Sequence, residues 1–287
     1  MIPALLRGLC DDAALFPPGN APLPDALTAH ARYRESAFAA LVGPLIFPIP
    51  RLAELAARQP APIEVVLTAP EGPGTVAGAL DRAAEIAGVT VVGVEIAAEA
   101  GQSAQEYFAA LPEARSGWPE LAVSVEVPRD GRRPEFFDRL AGSPYVAKFR
   151  TGGVVAEAYP GTPELAAAIR SAVTAGTPFK ATAGLHHAVR NTDPATGFDQ
   201  HGFLNLLLAT HMALTGADIA ELAEILADRD GSALAQQLAA LTDGETAAVR
   251  AAFRSFGTCS IGDPLTELVD LHLLPAALRP VPESSAL

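Results

Sequence analysis

Between about residues 11 and 183, seven short apolar runs, most of them β-branched, alternate with six segments of helical period, and this alternation is what most constrains the fold. Strands are expected near 11–18, 41–48, 63–68, 89–96, 121–127, 145–150 and 179–183, with helices near 23–40, 51–58, 75–87, 103–114, 134–140 and 162–175. Alternation of this kind makes the strands parallel, with helices on both faces of an open sheet or around the outside of a closed one. From 203 to 254 the rhythm yields to three or four helical segments, and an eighth strand (253–260) and helix (263–274) then follow. Eight beats predict a (β/α)8 TIM barrel with a helical insertion at about 200–252, between strands 7 and 8. No Gly-x-Gly-x-x-Gly follows the first strand, which removes the main reason to prefer a doubly wound sheet. A single domain over 1–287 is expected, with a Pro- and Ser-containing tail after Pro275 that frays.

Several function classes are excluded by composition. A formal net charge of -13 without any basic cluster argues against nucleic acid as a partner. The longest apolar stretch, 203–217, is interrupted by Asn205, Thr210 and His211 and is too short to span a bilayer, so no membrane association is expected. The first ten residues lack the basic start of a signal peptide. Cys10 and Cys259 form neither a metal-type pair nor a disulfide framework and read as inert thiols. A cytoplasmic enzyme from a GC-rich bacterial coding background fits these features.

Only two lysines occur, Lys148 and Lys180, against 18 arginines (20 basic residues less two). Codon bias alone depletes lysine, so the placement of the two decides their meaning. A lysine amine can be deprotonated and turned into a nucleophile, whereas a guanidinium cannot. Period-2 alternation sorts each strand onto two faces. Val92, Val94 and Ile96 oppose Val91, Gly93 and Glu95; Val123, Val125 and Val127 oppose Ser124 and Glu126. Val146, Lys148 and Arg150 share one face of the sixth strand, and Lys180, Thr182 and Gly184 one face of the seventh. If the apolar sets face the helices, Glu95, Glu126, Lys148, Arg150 and Lys180 converge at the carboxyl end of the barrel, where active sites are built. Neighbouring cations and burial would depress a lysine pKa there, leaving an amine free for Schiff-base chemistry. The competing reading is a set of ion pairs that plugs the barrel floor.

Lys148-Phe-Arg-Thr-Gly-Gly153 and Lys180-Ala-Thr-Ala-Gly-Leu185 resemble the paired lysine motifs on the sixth and seventh strands of the deoxyribose-phosphate aldolase family, class I aldolases on a (β/α)8 barrel. The resemblance covers about 45 residues and implies a Lys148 imine with Lys180 lowering its pKa. Glu95 stands where the family has an aspartate, and Glu126 resembles the glutamate ending its fifth strand. Arg150 replaces a small hydroxyl residue, and Thr182-Ala183-Gly184 replaces a phosphate-cradling glycine pair, so Arg150 is expected to grip a carboxylate instead. No cofactor is implied.

His186, His187 and Arg190 follow the second lysine motif as candidate substrate-binding residues, and one of the two histidines, with Arg190, is expected to line the mouth and bind substrate or act as an acid or base. A metal site on His186, His187 and His201 is the weaker alternative, because adjacent histidines rarely reach one ion. His30, His211 and His272 read as surface or packing residues. The insertion reads as a lid or a homo-oligomer contact. The function that follows is a Schiff-base, aldolase-like lyase acting on a small carbonyl or carboxylate compound. A dehydratase, synthase or cyclase with the same imine, and a barrel that only binds a small anion, remain open.

Overall fold

The computed structural model describes residues 1–58 and 60–280. Eight strands close into a barrel: β1 (Cys10–Asp12), β2 (Val42–Pro48), β3 (Ile63–Ala69), β4 (Val89–Ile96), β5 (Ala122–Glu126), β6 (Val146–Arg150), β7 (Phe179–Thr182) and β8 (Phe253–Thr258). Each pairs in parallel with its neighbours, and β1 closes on β8 through the partners Cys10 and Phe256. The expected (β/α)8 architecture, with its insertion between the seventh and eighth strands, is therefore the one observed.

Helices α1 (Leu23–Glu35), α2 (Leu52–Arg58), α3 (Val76–Ala84), α4 (Ala104–Ala114), α5 (Arg133–Leu140) and α6 (Thr162–Thr174) follow β1 to β6 in turn. Their ends have local chemical causes. At α4, Ser103 and Glu106 form a reciprocal capping box, readable as Ser-x-x-Glu. Helix α1 stops five residues before the expected 40, because the Ser36 hydroxyl donates to the Tyr33 carbonyl (2.7 Å) and so competes with the helical ladder. After β8, α11 (Gly262–Asp270) ends short of the expected 274, where His272 takes the left-handed φ of +58° that closes helices. Ala276–Leu278 then forms a short 3-10 turn, and the rest of the tail expected to fray, 281–287, lies outside the described residues.

Apolar faces point outward, as the alternation predicts. Val94, Ile96, Val123, Val125 and Val127 are buried beneath the helices, together with the aromatic ladder Phe149, Phe179 and Phe253, whose rings stack at 5.1 Å. The block between β7 and β8 comprises α7 (Phe203–Leu214), α8 (Ile219–Ala227), α9 (Gly231–Ala239) and α10 (Asp243–Ala252). Helix α7 is apolar around almost its whole circumference because it is sandwiched between the barrel and the other three helices. Helix α8 also packs on α6. This block supplies no residue to the cavity at the barrel mouth, so the lid expected of it is not formed; it thickens the barrel wall instead.

Candidate active site

Inward-facing side chains of β4 to β7 meet at the carboxyl end of the barrel. Register sets their order: Glu126 lies beside Lys148, Lys148 beside Lys180, and Arg150 beside Thr182 one level higher. Adjacent strands are about 4.8 Å apart, so the two lysine stems start as close neighbours. Their ammonium groups do not meet, because Glu95 stands between them. One Glu95 oxygen accepts from Lys180 Nζ at 2.5 Å and the other is 2.9 Å from Lys148 Nζ. Glu126 flanks Lys148 on its far side at 2.9 Å, and its second oxygen is 4.0 Å from Arg150. Below, Lys180 also donates to Asp11 at 2.7 Å, and Asp11 accepts from the Ser255 hydroxyl at 2.6 Å.

A chain of alternating charge thus runs from the floor upward: Asp11, Lys180, Glu95, Lys148, Glu126, Arg150. Asp11 is the member missing from the residues expected at the mouth. It corrects the electrostatics derived for the two lysines. Burial pulls the Lys148 ammonium down, but Glu126 and Glu95 outweigh it and leave its pKa raised. Burial likewise opposes the charge on Lys180, yet Asp11 and Glu95 carry its pKa well up. The lowered lysine pKa expected from neighbouring cations is therefore not found, because carboxylates interleave the cations.

Glu95 is only 2 % exposed, and burial alone would raise its pKa; the two ammonium groups instead hold it down at about 2. Asp11 goes the other way, since burial outweighs its bond to Lys180 and raises its pKa. A depressed carboxylate contributes stability that is fully present above its ordinary pKa of 4.5 and is lost as the pH falls through about 2. Protonation of Asp11 partly offsets that loss. The expected result is that the difference in urea midpoint between the native protein and Glu95→Gln narrows steadily from pH 4.5 toward pH 2. A difference independent of pH would show that Glu95 is not held ionised by the lysines.

Above this chain opens a cavity of about 370 Å3. Lys148, Glu126, Glu95, Arg150, Thr182 and His186 line it; Lys180 and Asp11 do not. Lys148 is thus the amine that a ligand can reach, and Lys180 lies behind it. Arg150 is half exposed, and among the described residues its ion-pair partner is Glu126 at 4.0 Å. The Thr182 hydroxyl is buried and finds no partner among the described residues. Ala183 beside it takes the uncommon φ of +64°, and Gly184 one of +66°. Close packing explains the glycine: a Cβ on Gly184 would stand 2.8 Å from the Gly152 backbone and 2.7 Å from the Tyr159 ring.

His186 reaches the cavity with its Nδ1 3.4 Å from the Sγ of Cys259, which also lines it. Burial lowers the His186 pKa and raises that of Cys259, so both are neutral near pH 7. The pairing follows from the alternation of Ser255, Gly257 and Cys259 along and beyond β8, which was open to the same face analysis as the lysines. His187 and Arg190 are not brought to the cavity. His187 Nδ1 contacts Glu267 at 2.6 Å, and Arg190 pairs with Asp199 at 3.2 Å within a small hairpin, Asn191–Thr192 against Asp199–Gln200. His201 is buried, with Nε2 2.8 Å from the Pro160 carbonyl oxygen; burial lowers its pKa to about 4. The three histidines considered together as ligands are therefore held by different partners, and no metal-ligand set of three His, Cys, Asp or Glu residues forms among the described residues.

No protein-family model matches the chain, and no curated protein matches it. Among solved structures it is similar to dihydrodipicolinate synthase from Bacillus clausii, at 13% sequence identity over 75% of this chain and 68% of that one, with a TM-score of 0.40.

Proposed function

We propose that this barrel is a Schiff-base-forming lyase of the aldolase type, acting on a small 2-oxo acid or related carbonyl compound through Lys148. One observation carries the reading: Lys148 lines the mouth cavity while its Nζ is held at 2.9 Å by each of Glu95 and Glu126. The raised Lys148 pKa and the lowered Glu126 pKa both keep the proton on the amine at rest, so the transfer to Glu126 is uphill and is driven only as the carbonyl compound desolvates the pair. As a carbonyl compound displaces water, the Lys148 ammonium passes one proton to Glu126, giving a neutral amine and a neutral acid. The amine adds to the carbonyl carbon, Glu126 returns the proton to the resulting hydroxyl, and water leaves. What remains is an iminium that carries the same single positive charge at the same nitrogen. Glu95, locked as an anion by Lys180, stabilises that charge without having to reorganise.

The register supplies the second contact. Arg150 and Thr182 lie side by side one level above Lys148, so a carboxylate next to the reacting carbonyl meets the guanidinium and the spare hydroxyl together. His186, which lines the cavity, takes in this reading the role of exchanging a proton with the carbon next to the iminium.

Borohydride reduction in the presence of small aldehydes and 2-oxo acids, followed by peptide mass spectrometry, tests the reading directly. A reduced adduct is expected on Lys148 and not on Lys180; absence of an adduct across the panel sinks it. Arg150→Ala is expected to raise the concentration needed for half-maximal trapping of a 2-oxo acid by roughly 10- to 100-fold, the scale of a lost charged hydrogen bond. A methyl ketone of equal length should shift by less than about 3-fold. Equal shifts for both compounds would remove Arg150 from carboxylate binding.

A further inference from the structure

The cavity is not evenly polar. Every charged group that lines it comes from β4, β5 and β6, whereas the ends of β1, β2 and β3 present Phe16, Pro17, Ile46, Pro48, Pro50 and Pro70, with the Thr68 hydroxyl as the one polar side chain on that side among the described residues. Four of those six are prolines, which bring no backbone N–H and so offer an arriving ligand no donor. An apolar surface of this kind is a poor seat for a sugar hydroxyl or a phosphate, because each would lose hydration without gaining a partner. Size points the same way. About 370 Å3 is the space of roughly a dozen waters at ~30 Å3 each, well beyond what a molecule of six bonded heavy atoms such as pyruvate fills.

We infer that the natural substrate is a 2-oxo acid with an apolar chain: its carboxylate on Arg150 and Thr182, its carbonyl at Lys148, and its hydrocarbon part against the proline-lined side formed by β1 to β3. The inference rests on the imine-forming reading and adds to it the chemical class of the group beyond the carbonyl. Chain and polar head sit on opposite sides of the barrel axis, so lengthening the chain fills apolar space without disturbing the charged wall. Each methylene that leaves water for this surface tightens binding by roughly three- to four-fold.

The test is the concentration giving half-maximal borohydride-trapped adduct for pyruvate, 2-oxobutanoate, 2-oxopentanoate and 2-oxohexanoate, with 5-hydroxy-2-oxopentanoate and a phosphorylated 2-oxo acid as polar counterparts. That concentration is expected to fall by roughly thirty- to sixty-fold from the first to the fourth compound, with both polar counterparts weaker than 2-oxopentanoate. Adduct on Lys148 that is indifferent to chain length, or strongest with a polar counterpart, overturns the inference and leaves the imine reading standing. No adduct with any compound overturns both.

Discussion

Lys148→Arg is expected to abolish the borohydride-trapped adduct and to reduce turnover of the best substrate by at least about a thousand-fold, with the fold intact. Arginine keeps a cation between Glu95 and Glu126, so the alternating chain of charges is preserved, but its guanidinium cannot be deprotonated to attack a carbonyl. The variant thereby separates nucleophilicity from charge. Lys148→Met is less clean, because it leaves two carboxylates facing one another and costs stability of about 3–5 kcal/mol in its own right. The paired control is Lys180→Arg. Lys180 does not line the cavity, and its role in this scheme is to hold Glu95 ionised, so the adduct should persist on Lys148 at a reduced rate. Peptide mapping of both variants, with circular dichroism to confirm folding, decides between the assignments. An adduct that survives in Lys148→Arg and maps to Lys180 would reverse the roles of the two lysines.

The barrel was legible because its strand periodicity is strong and its punctuation regular. The face analysis of β4 to β7 also put Glu95, Glu126, Lys148 and Lys180 on one inward set, and their side chains do meet there. It did not extend to β1, and the reason is specific. That strand is three residues long and carries two adjacent acids, so alternation alone could not say which one enters the barrel. Asp11 turns inward to Lys180, while Asp12, equally buried, turns outward and lies 3.0 Å from His30 on α1. His30 is accordingly a buried packing histidine. Missing Asp11 mattered, because the lysine pKa argument depended on which charges lay closest. Sequence spacing brought the two cations together but could not show that Glu95 would lie between them. The loop after β7 was misread for a different reason: Arg190 follows the lysine motif closely in sequence, yet the hairpin that begins just after it folds back and brings Asp199 and His201 to its guanidinium.

Glu95 is the residue on which the rest of the site depends for its charge balance, and Glu95→Leu is expected to lower stability by about 3–5 kcal/mol, a fall in Tm of roughly 10 °C for a chain of this size. Removing it leaves two buried ammonium groups on adjacent strands, at register partners Lys148 and Lys180, with the carboxylate between them gone. Glu126 and Asp11 still serve one lysine each, so the loss is that of the shared link rather than of all pairing. The same substitution should lower the pKa of both lysines, since each loses an anion while keeping its burial. Stability and reactivity then move in opposite directions: a less stable protein whose Lys148 amine is freer at neutral pH but whose iminium lacks its buried counter-ion. Trapping by a reactive aldehyde should shift to lower pH, whereas turnover of a 2-oxo acid falls. Combining Glu95→Leu with Lys180→Met removes both members of one ion pair and leaves Asp11 to the Ser255 hydroxyl, and is expected to cost clearly less than the sum of the two single variants, because the Glu95–Lys180 link is lost only once. Urea unfolding of the two single variants and the double variant measures the coupling. Strict additivity would mean that Glu95 and Lys180 do not act as a pair, and that the floor of the barrel is held by Asp11 and Ser255 alone.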